Sequence, residues 1–267
     1  MHIVYAPDIH ESDYTLNKEE SYHIIKVLRQ RIDDKLILID GKGNYYSAII
    51  TYNDPKACSV KIMETHKDIE KGYKLHIAIA PTKNMERLEW FIEKSVEIGI
   101  DEITPMICSH SERKTLRMDR LEKICIAAMK QSIKATLPKI NSPTLFKDLI
   151  HKPIEGQKFI AYCQEMDYKS ISSTNNSISS TNNSFTSTDN SISSTDKSIP
   201  TNIHLKSKYI KGNNVIVLIG PEGDFSPDEI ASAITAGFEA ISLGPSRLRT
   251  ETAGIVACHT INLINNS

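Results

Sequence analysis

The chain has 267 residues, of which 40% are hydrophobic and 24% are charged, as in globular proteins that bury a sizeable core. No apolar run approaches the roughly 20 residues that a membrane-spanning helix needs, and the first residues show no secretory signal pattern. The net charge of −1 argues against nucleic-acid binding through a strong overall positive field.

The five cysteines are scattered along the chain, and no two of them form a Cys-x-x-Cys pair. An odd number of unpaired cysteines is typical of free thiols in a reducing compartment, and it argues against a disulfide framework or a zinc ribbon. We therefore expect a cytoplasmic protein with neither a metal site nor a membrane partner.

Residues 1–70 predict a small domain that is rich in strands. A helix is expected over residues 18–29, where apolar side chains recur at helical spacing. Three β-forming segments follow at 35–40, 45–52 and 58–63. One helix and several short strands indicate a compact β-barrel.

From residue 73 onward, strands alternate with helices. The first strand is expected at 75–80, and Asn84 is expected to cap the helix that follows it. Asp119 and Glu122 have the spacing of a capping box, which predicts the start of another helix. This alternation is typical of an α/β domain with a parallel sheet, which we expect over residues 73–267.

Basic residues are concentrated between residues 111 and 139, where eight lysines and arginines face three acidic residues. Such a stripe is either the solvated face of a helix or a local RNA-binding surface on an otherwise neutral protein.

Residues 170–197 consist of four near-copies of a seven-residue unit that is rich in serine, threonine and asparagine. Each unit has only one apolar residue, which is too little surface to offset the entropy cost of ordering. We predict a disordered insertion in a surface loop, without a role in the chemistry.

Two strands near the end of the chain each run into a loop that contains glycine. The strand at 215–219 leads into Gly-Pro-Glu-Gly-Asp at 220–224, and the strand at 240–243 leads into Gly244-Pro245. Ser226 and Glu229 predict a capped helix between them. We expect the two strands to be neighbours in the sheet, and ligands of α/β proteins bind at such strand ends. Glycines after strands are equally common in plain turns.

These loops resemble the signature of the RsmE-type 16S ribosomal RNA uridine-N3 methyltransferases of the SPOUT superfamily. The segments that carry the resemblance are Ile-Gly-Pro-Glu-Gly at 219–223, Leu-Gly at 243–244 and Leu-Arg-Thr-Glu-Thr-Ala at 248–253. Further similar segments lie at 23–29, 40–43, 94–100, 103–105, 109–113 and 129–132. The resemblance covers nearly the whole chain except residues 164–210.

The resemblance implies a PUA-like β-barrel at 1–70, followed by a SPOUT-type parallel α/β domain with a C-terminal trefoil knot. It also implies a homodimer in which the partner subunit completes the cleft for S-adenosylmethionine. The residues implied to bind this cofactor are Gly220, Glu222, Gly223, Leu243, Gly244, Leu248 and Arg249. Core packing is the alternative role for Leu243 and Leu248.

The implied substrate is the 16S ribosomal RNA of the small subunit. The residues expected to contact RNA are His23, Arg29, Arg113, Lys130 and Lys134. The chain departs from the family at two positions: Asp224 stands where many members have a second glycine, and Lys134 where arginine is frequent.

The implied reaction is transfer of a methyl group from S-adenosylmethionine to N3 of a uridine, without a metal. Arg249 is the expected catalytic residue, because a guanidinium beside the base stabilises the uracil anion. Glu251 is expected to act as a base, to orient Arg249 or to cap the last helix. The alternatives are a non-catalytic RNA-binding ribosome assembly factor and a SPOUT ribose 2′-O-methyltransferase.

Overall fold

The computed structural model of the protein describes residues 2–162 and 203–267. This part of the chain contains two β-sheets and three clusters of buried hydrophobic side chains. The predicted insertion at 170–197 lies outside the described residues. None of the described helices is long and apolar enough to cross a membrane.

The first sheet has five strands and is built from the first 67 residues. Its strands are β1 (His2–Tyr5), β2 (Asp13–Thr15), β3 (Lys35–Ile39), β4 (Asn44–Tyr52) and β5 (Ser59–Lys67). They lie in the order β1-β3-β4-β5-β2, and only the β1–β3 pair is parallel. Leu36 and Leu38 point to the same side of β3 and pack with Ile50 in the core of this sheet, whereas Ile39 is buried in the core of the other sheet.

One helix covers this sheet, and it is shorter than predicted. Helix α1 (Lys18–Tyr22) continues as a π-helical segment, His23–Val27, in which the Leu28 amide donates to the His23 carbonyl five residues back. The prediction of one α-helix over residues 18–29 is therefore wrong in its second half, where each hydrogen bond spans a wider turn.

The second sheet belongs to an α/β domain, as the alternating pattern predicts. Its elements are β6 (Leu75–Ile79), α2 (Met85–Ile98), β7 (Glu102–Ile107), α3 (Met118–Gln131), β8 (Lys139–Ile140), β9 (Thr144–Leu145), α4 (Phe146–Ile150), β10 (Gln157–Ala161), β11 (Ile203–His204), α5 (Leu205–Lys208), β12 (Val215–Ile219), α6 (Pro227–Thr235), β13 (Glu239–Ser242) and α7 (Thr250–Asn266). The order is β11-β13-β10-β12-β6-β7-β8, β9 also pairs with β7, and every pair is parallel.

Strand β12 shows how this sheet buries both faces. All five of its side chains are buried, since successive residues point to opposite sides. Val215, Val217 and Ile219 join the cluster beneath α2, α3 and α7, whereas Ile216 and Leu218 join the cluster beneath α4 and α6.

The two strands that carry the glycine-containing loops are not neighbours. Strand β10 lies between them, and its Ala161 pairs with Ile219 of β12 on one side and with Ile241 of β13 on the other. The predicted adjacency is wrong because a parallel connection crosses the face of the sheet and can pass over a strand.

The predicted helix caps have different outcomes. Asn84 accepts the Glu86 amide at 3.0 Å, and Ser226 and Glu229 form the expected capping box. The capping box at Asp119 is wrong, since α3 begins at Met118, two residues earlier than a helix capped by Asp119 would, and has no side-chain cap. The Asp119 carboxylate accepts instead from Arg117, at 3.2 Å.

Candidate active site

The first glycine loop, residues 220–225, follows β12 and folds tightly on itself. A Cβ atom on Gly220 would lie 3.1 Å from the Phe225 ring, and one on Gly223 would lie 3.3 Å from Cβ of His110. These distances are shorter than most real contacts, so both positions favour glycine for packing reasons.

Asp224 occupies the position where the resembling family often has a second glycine. Its φ of 60° lies in the left-handed region that favours glycine. Its own carboxylate compensates in part, because Oδ1 accepts the Phe225 amide at 2.8 Å. His110 lies over the same turn, with Nδ1 at 3.2 Å and 3.0 Å from the carbonyl oxygens of Gly223 and Asp224.

The second glycine loop, residues 243–249, follows β13. Gly244 has a φ of 133°, and apart from its chain neighbours no atom of the described residues lies within 4 Å of where its Cβ would be, so its backbone conformation rather than packing demands glycine. The Ser242 hydroxyl bonds both the amide and the carbonyl of Gly244, each at 3.1 Å. The Leu243 side chain packs against the core, as its alternative role predicts, and Leu248 is half-buried.

Thr250 joins the two glycine loops. Its buried hydroxyl donates to the Gly220 carbonyl at 3.0 Å, which holds the start of α7 against the end of β12. The residue before it, Arg249, is the N-cap of α7 and is exposed. Its guanidinium makes no hydrogen bond or ion pair with the described residues, so it is available to a substrate.

Glu251 is a buried carboxylate in the first turn of α7, and only 7% of the residue is exposed. Its Oε1 lies 3.9 Å from Nε of Arg87 on α2, and its Oε2 has no hydrogen-bond partner among the described residues. Its ion-pair partner is thus Arg87 rather than Arg249. A buried polar atom without a partner is uncommon, and a catalytic role is one of the explanations for it.

A third loop meets the first glycine loop at Lys83, between β6 and α2. The Glu222 carboxylate accepts the Lys83 amide at 3.1 Å, and Arg113 donates to the Lys83 carbonyl at 3.2 Å. Glu222 and Arg113 remain exposed. The structure therefore brings predicted cofactor and RNA residues together at the carboxyl ends of β6 and β12.

The other predicted RNA contacts lie elsewhere. His23 and Arg29 are exposed on the first domain. Lys130 extends to Glu20 of that domain, with Nζ at 2.5 Å from the carboxylate, and Lys134 is half-buried beside Gly99 at the end of α2. Burial, and to a lesser degree the Lys71 ammonium, lowers the pKa of Lys134.

Sequence reasoning missed two residues that shape the site. Thr250 could have been found from the sequence, since a hydroxyl between Arg249 and Glu251 at the start of a helix is a candidate hydrogen-bond donor. Arg87 carries none, because it meets Glu251 only after α2 and α7 pack together.

Comparisons with known proteins identify the family of the chain. A family model described as an RNA methyltransferase domain matches residues 70–262, and one described as an RNA methyltransferase PUA domain matches residues 16–63. The ribosomal RNA small subunit methyltransferase E of Buchnera aphidicola subsp. Acyrthosiphon pisum is 30% identical over 254 residues, covering 91% of this chain and 85% of the relative.

Two solved structures share the fold over nearly their full length. A probable rRNA-methyltransferase from Porphyromonas gingivalis is 39% identical, with a TM-score of 0.81 over 100% of this chain and 99% of that one. A methyltransferase candidate from Legionella pneumophila, in complex with the cofactor SAM, is 25% identical. Its TM-score is 0.78, and the match covers 98% of this chain and 97% of that one. The chain therefore belongs to the family of RNA methyltransferases with an N-terminal PUA domain that includes the ribosomal RNA small subunit methyltransferases E.

Proposed function

We propose that the protein transfers a methyl group from S-adenosylmethionine to N3 of a uridine in the 16S ribosomal RNA of the small subunit. The observation that carries this proposal is the placement of Arg249. Its guanidinium is exposed and uncommitted where the two glycine loops meet. The choice of substrate is supported by relatives named ribosomal RNA small subunit methyltransferase E. The choice of cofactor is supported by the neighbouring structure that contains SAM.

The proposed cofactor site uses the backbone of both glycine loops. The open space beside Gly244 lets a ligand approach its backbone closely, whereas the space beside Gly220 and Gly223 is filled by Phe225 and His110 and holds the first loop in shape. Bound S-adenosylmethionine supplies an electrophilic methyl group on a sulfonium. We assign its binding to Gly220, Glu222, Gly223, Leu243, Gly244, Leu248 and Arg249. Leu243 contributes through its backbone, because its side chain packs in the core.

The residues of the chain then have two tasks: to align the uracil with the methyl donor and to make N3 nucleophilic. N3 of uracil carries a proton at neutral pH, and transfer of this proton to solvent leaves negative charge on N3 and the ring carbonyls. Arg249 stabilises that charge with planar, paired donors. Glu251, paired with Arg87, holds the start of α7 from which Arg249 projects.

A trefoil knot at the C-terminus belongs to the same proposal. Strand β13 enters the sheet late in the chain, yet it lies between β10 and β11, which both precede it. The chain then returns across the sheet, and α7 packs on α2 and β6. Threading of the last segment through an earlier loop accounts for this order.

We further propose that residues 1–70 form an RNA-binding PUA-like barrel, that residues 73–267 form the catalytic domain and that the protein is a homodimer. Trp90 on α2 and Leu263 on α7 are exposed apolar side chains at two separate points along this pair of helices, and each is a candidate contact for the partner. His23, Arg29 and Arg113 are exposed and suited to RNA, whereas Lys130 must leave Glu20 to reach a phosphate.

The direct test incubates the protein with labelled S-adenosylmethionine and undermodified small ribosomal subunits, and identifies the product nucleoside by mass. N3-methyluridine is the expected product. A 2′-O-methylated nucleoside would identify the ribose-modifying alternative, and RNA binding without methylation would identify an assembly factor.

Arg249→Ala should lower the single-turnover rate by about 10²-fold or more, as loss of one donor to a developing anion does elsewhere. Affinities for S-adenosylmethionine and RNA should change far less. Arg249→Lys should restore only part of the rate, because an ammonium lacks the planar fork. A normal rate with weak cofactor binding would contradict the catalytic role and leave Arg249 with cofactor binding as its only role.

A further inference from the structure

A cleft of about 410 Å³ opens between α4 and α6, at the same edge of the sheet as the glycine loops. We call it the α4–α6 cleft. Leu145 and Phe146 form an apolar part of its wall, and Leu145 is 45% exposed. Lys114, Lys147 and His151 supply basic groups around it. Its volume lies in the range of about 300–1,000 Å³ that is usual for small-ligand sites.

The cleft shares a wall with the proposed cofactor site. The ring of Phe146 lies 5.6 Å from that of Phe225, at an interplanar angle of 53°. Phe225 closes the first glycine loop and is the side chain that Gly220 leaves room for. On the opposite wall, the Ser109 amide donates to Glu229 of α6 at 2.8 Å. A ligand in the α4–α6 cleft is therefore next to the loop that we assign to the cofactor.

The charges of the cleft are available to an anion. Lys114 and Lys147 form no ion pair with any residue in the described ranges. Of the two acids in the lining, Glu229 is occupied by its capping box and by the Ser109 amide. Asp228 is exposed in the first turn of α6 and offers an acceptor.

We infer that the α4–α6 cleft binds a nucleotide of the substrate RNA adjacent to the one that is methylated. Its base lies against the exposed Leu145 side chain, and its flanking phosphates meet Lys114 and Lys147. Proteins that bind single-stranded RNA combine a platform for the bases, most often an aromatic side chain, with a cationic track for the backbone. In the α4–α6 cleft, the aliphatic Leu145 takes the place of the platform. This inference rests on the proposed function, because it takes the methylated RNA as the ligand.

Two variants separate the two elements, and the probe is a fluorescein-labelled single-stranded uridine oligonucleotide. Lys114→Ala/Lys147→Ala should weaken binding and reduce the slope of log K against log salt by about 1.4, since each phosphate contact contributes about 0.7 on a single strand. Leu145→Ser should weaken binding equally at every salt concentration, because it removes no charge. Lys74→Ala, at the opposite edge of the sheet, is the matched control and should keep the wild-type slope.

All variants should keep the wild-type affinity for S-adenosylmethionine, which calorimetry measures and which also shows that they are folded. Unchanged oligonucleotide affinity in both cleft variants would overturn the inference. An equal effect of Lys74→Ala, or a loss of cofactor affinity that accounts for the RNA effect, would overturn it as well. Failure of the wild-type enzyme to form N3-methyluridine would instead overturn the proposed function. The two failures are distinguishable, because oligonucleotide binding tests the cleft and analysis of the product nucleoside tests the reaction.

Discussion

The hydrogen bond from Thr250 to Gly220 is the contact whose removal should separate the two glycine loops. Thr250→Val keeps the shape of the side chain and removes the hydroxyl that donates at 3.0 Å. Thr250 is buried, so water does not replace the lost donor. Leaving a buried acceptor without its donor costs about 1–3 kcal/mol.

Two measurements test this value. In urea denaturation, the free energy of unfolding of Thr250→Val should fall by about 1–3 kcal/mol. Calorimetry should show weaker S-adenosylmethionine binding, because the second loop is no longer held at the end of β12. Thr250→Ser keeps the hydroxyl and loses only a methyl group, about 0.8 kcal/mol. Its cofactor affinity should stay at the wild-type level.

Thr235→Val is the matched control for loss of a threonine hydroxyl. That hydroxyl donates within α6 to Ala231, at 2.9 Å, and it is exposed. Its loss should change stability by less than about 0.5 kcal/mol. The reasoning is refuted if Thr250→Val is as stable as this control and binds S-adenosylmethionine as the wild type does.

Three further predictions follow from single contacts. Asp224→Ala should lower the free energy of unfolding by about 1 kcal/mol, because it keeps the φ of 60° and loses the hydrogen bond to the Phe225 amide. Asp224→Gly relieves the backbone strain, so its free energy of unfolding should stay near that of the wild type. Equal losses in the two variants would contradict this. Burial lowers the pKa of His76 to about 4, below its ordinary 6.5. Between these two values the unfolded chain binds more protons than the folded chain, so stability should fall as the pH drops from 6.5 to 4. His76→Asn should flatten this dependence of stability on pH, and an unchanged slope would show that His76 does not cause it. Lys130→Ala should leave the Glu20 carboxylate, whose side chain is only 12% exposed, without its cation. A double-mutant cycle with Glu20→Ala should give a coupling free energy of about 0.5–3 kcal/mol. Zero coupling would mean that the pair does not join the domains.

Local features of the sequence predicted most of the elements that build the site. The apolar run at 215–219 predicted a strand, and the structure places β12 there with every side chain buried. Ser226 and Glu229 predicted the start of α6 because a capping box uses atoms only three residues apart. The glycines at 220 and 244 marked both loops, since each position has a local geometric reason for glycine.

Contacts between distant segments had no such signal. Strand β10 separates β12 from β13 because its two edges pair with both of them, and the order of strands in a sheet is decided by pairing rather than by sequence order. The contact of Lys130 also had no signal in the sequence. Its position predicted a member of the basic stripe, whereas in the structure it lies against Glu20 of the other domain.

The sequence by itself determined where the strands end and where the loops turn, because those properties depend on neighbouring residues. Only the tertiary structure decided that Thr250 bonds Gly220, that Glu251 meets Arg87 and that the Phe146 and Phe225 rings join a cleft to the first glycine loop. These contacts arise when α7, α2 and α4 pack on the two faces of one sheet. Their partners are therefore set by the packing of whole elements, which no short stretch of sequence specifies.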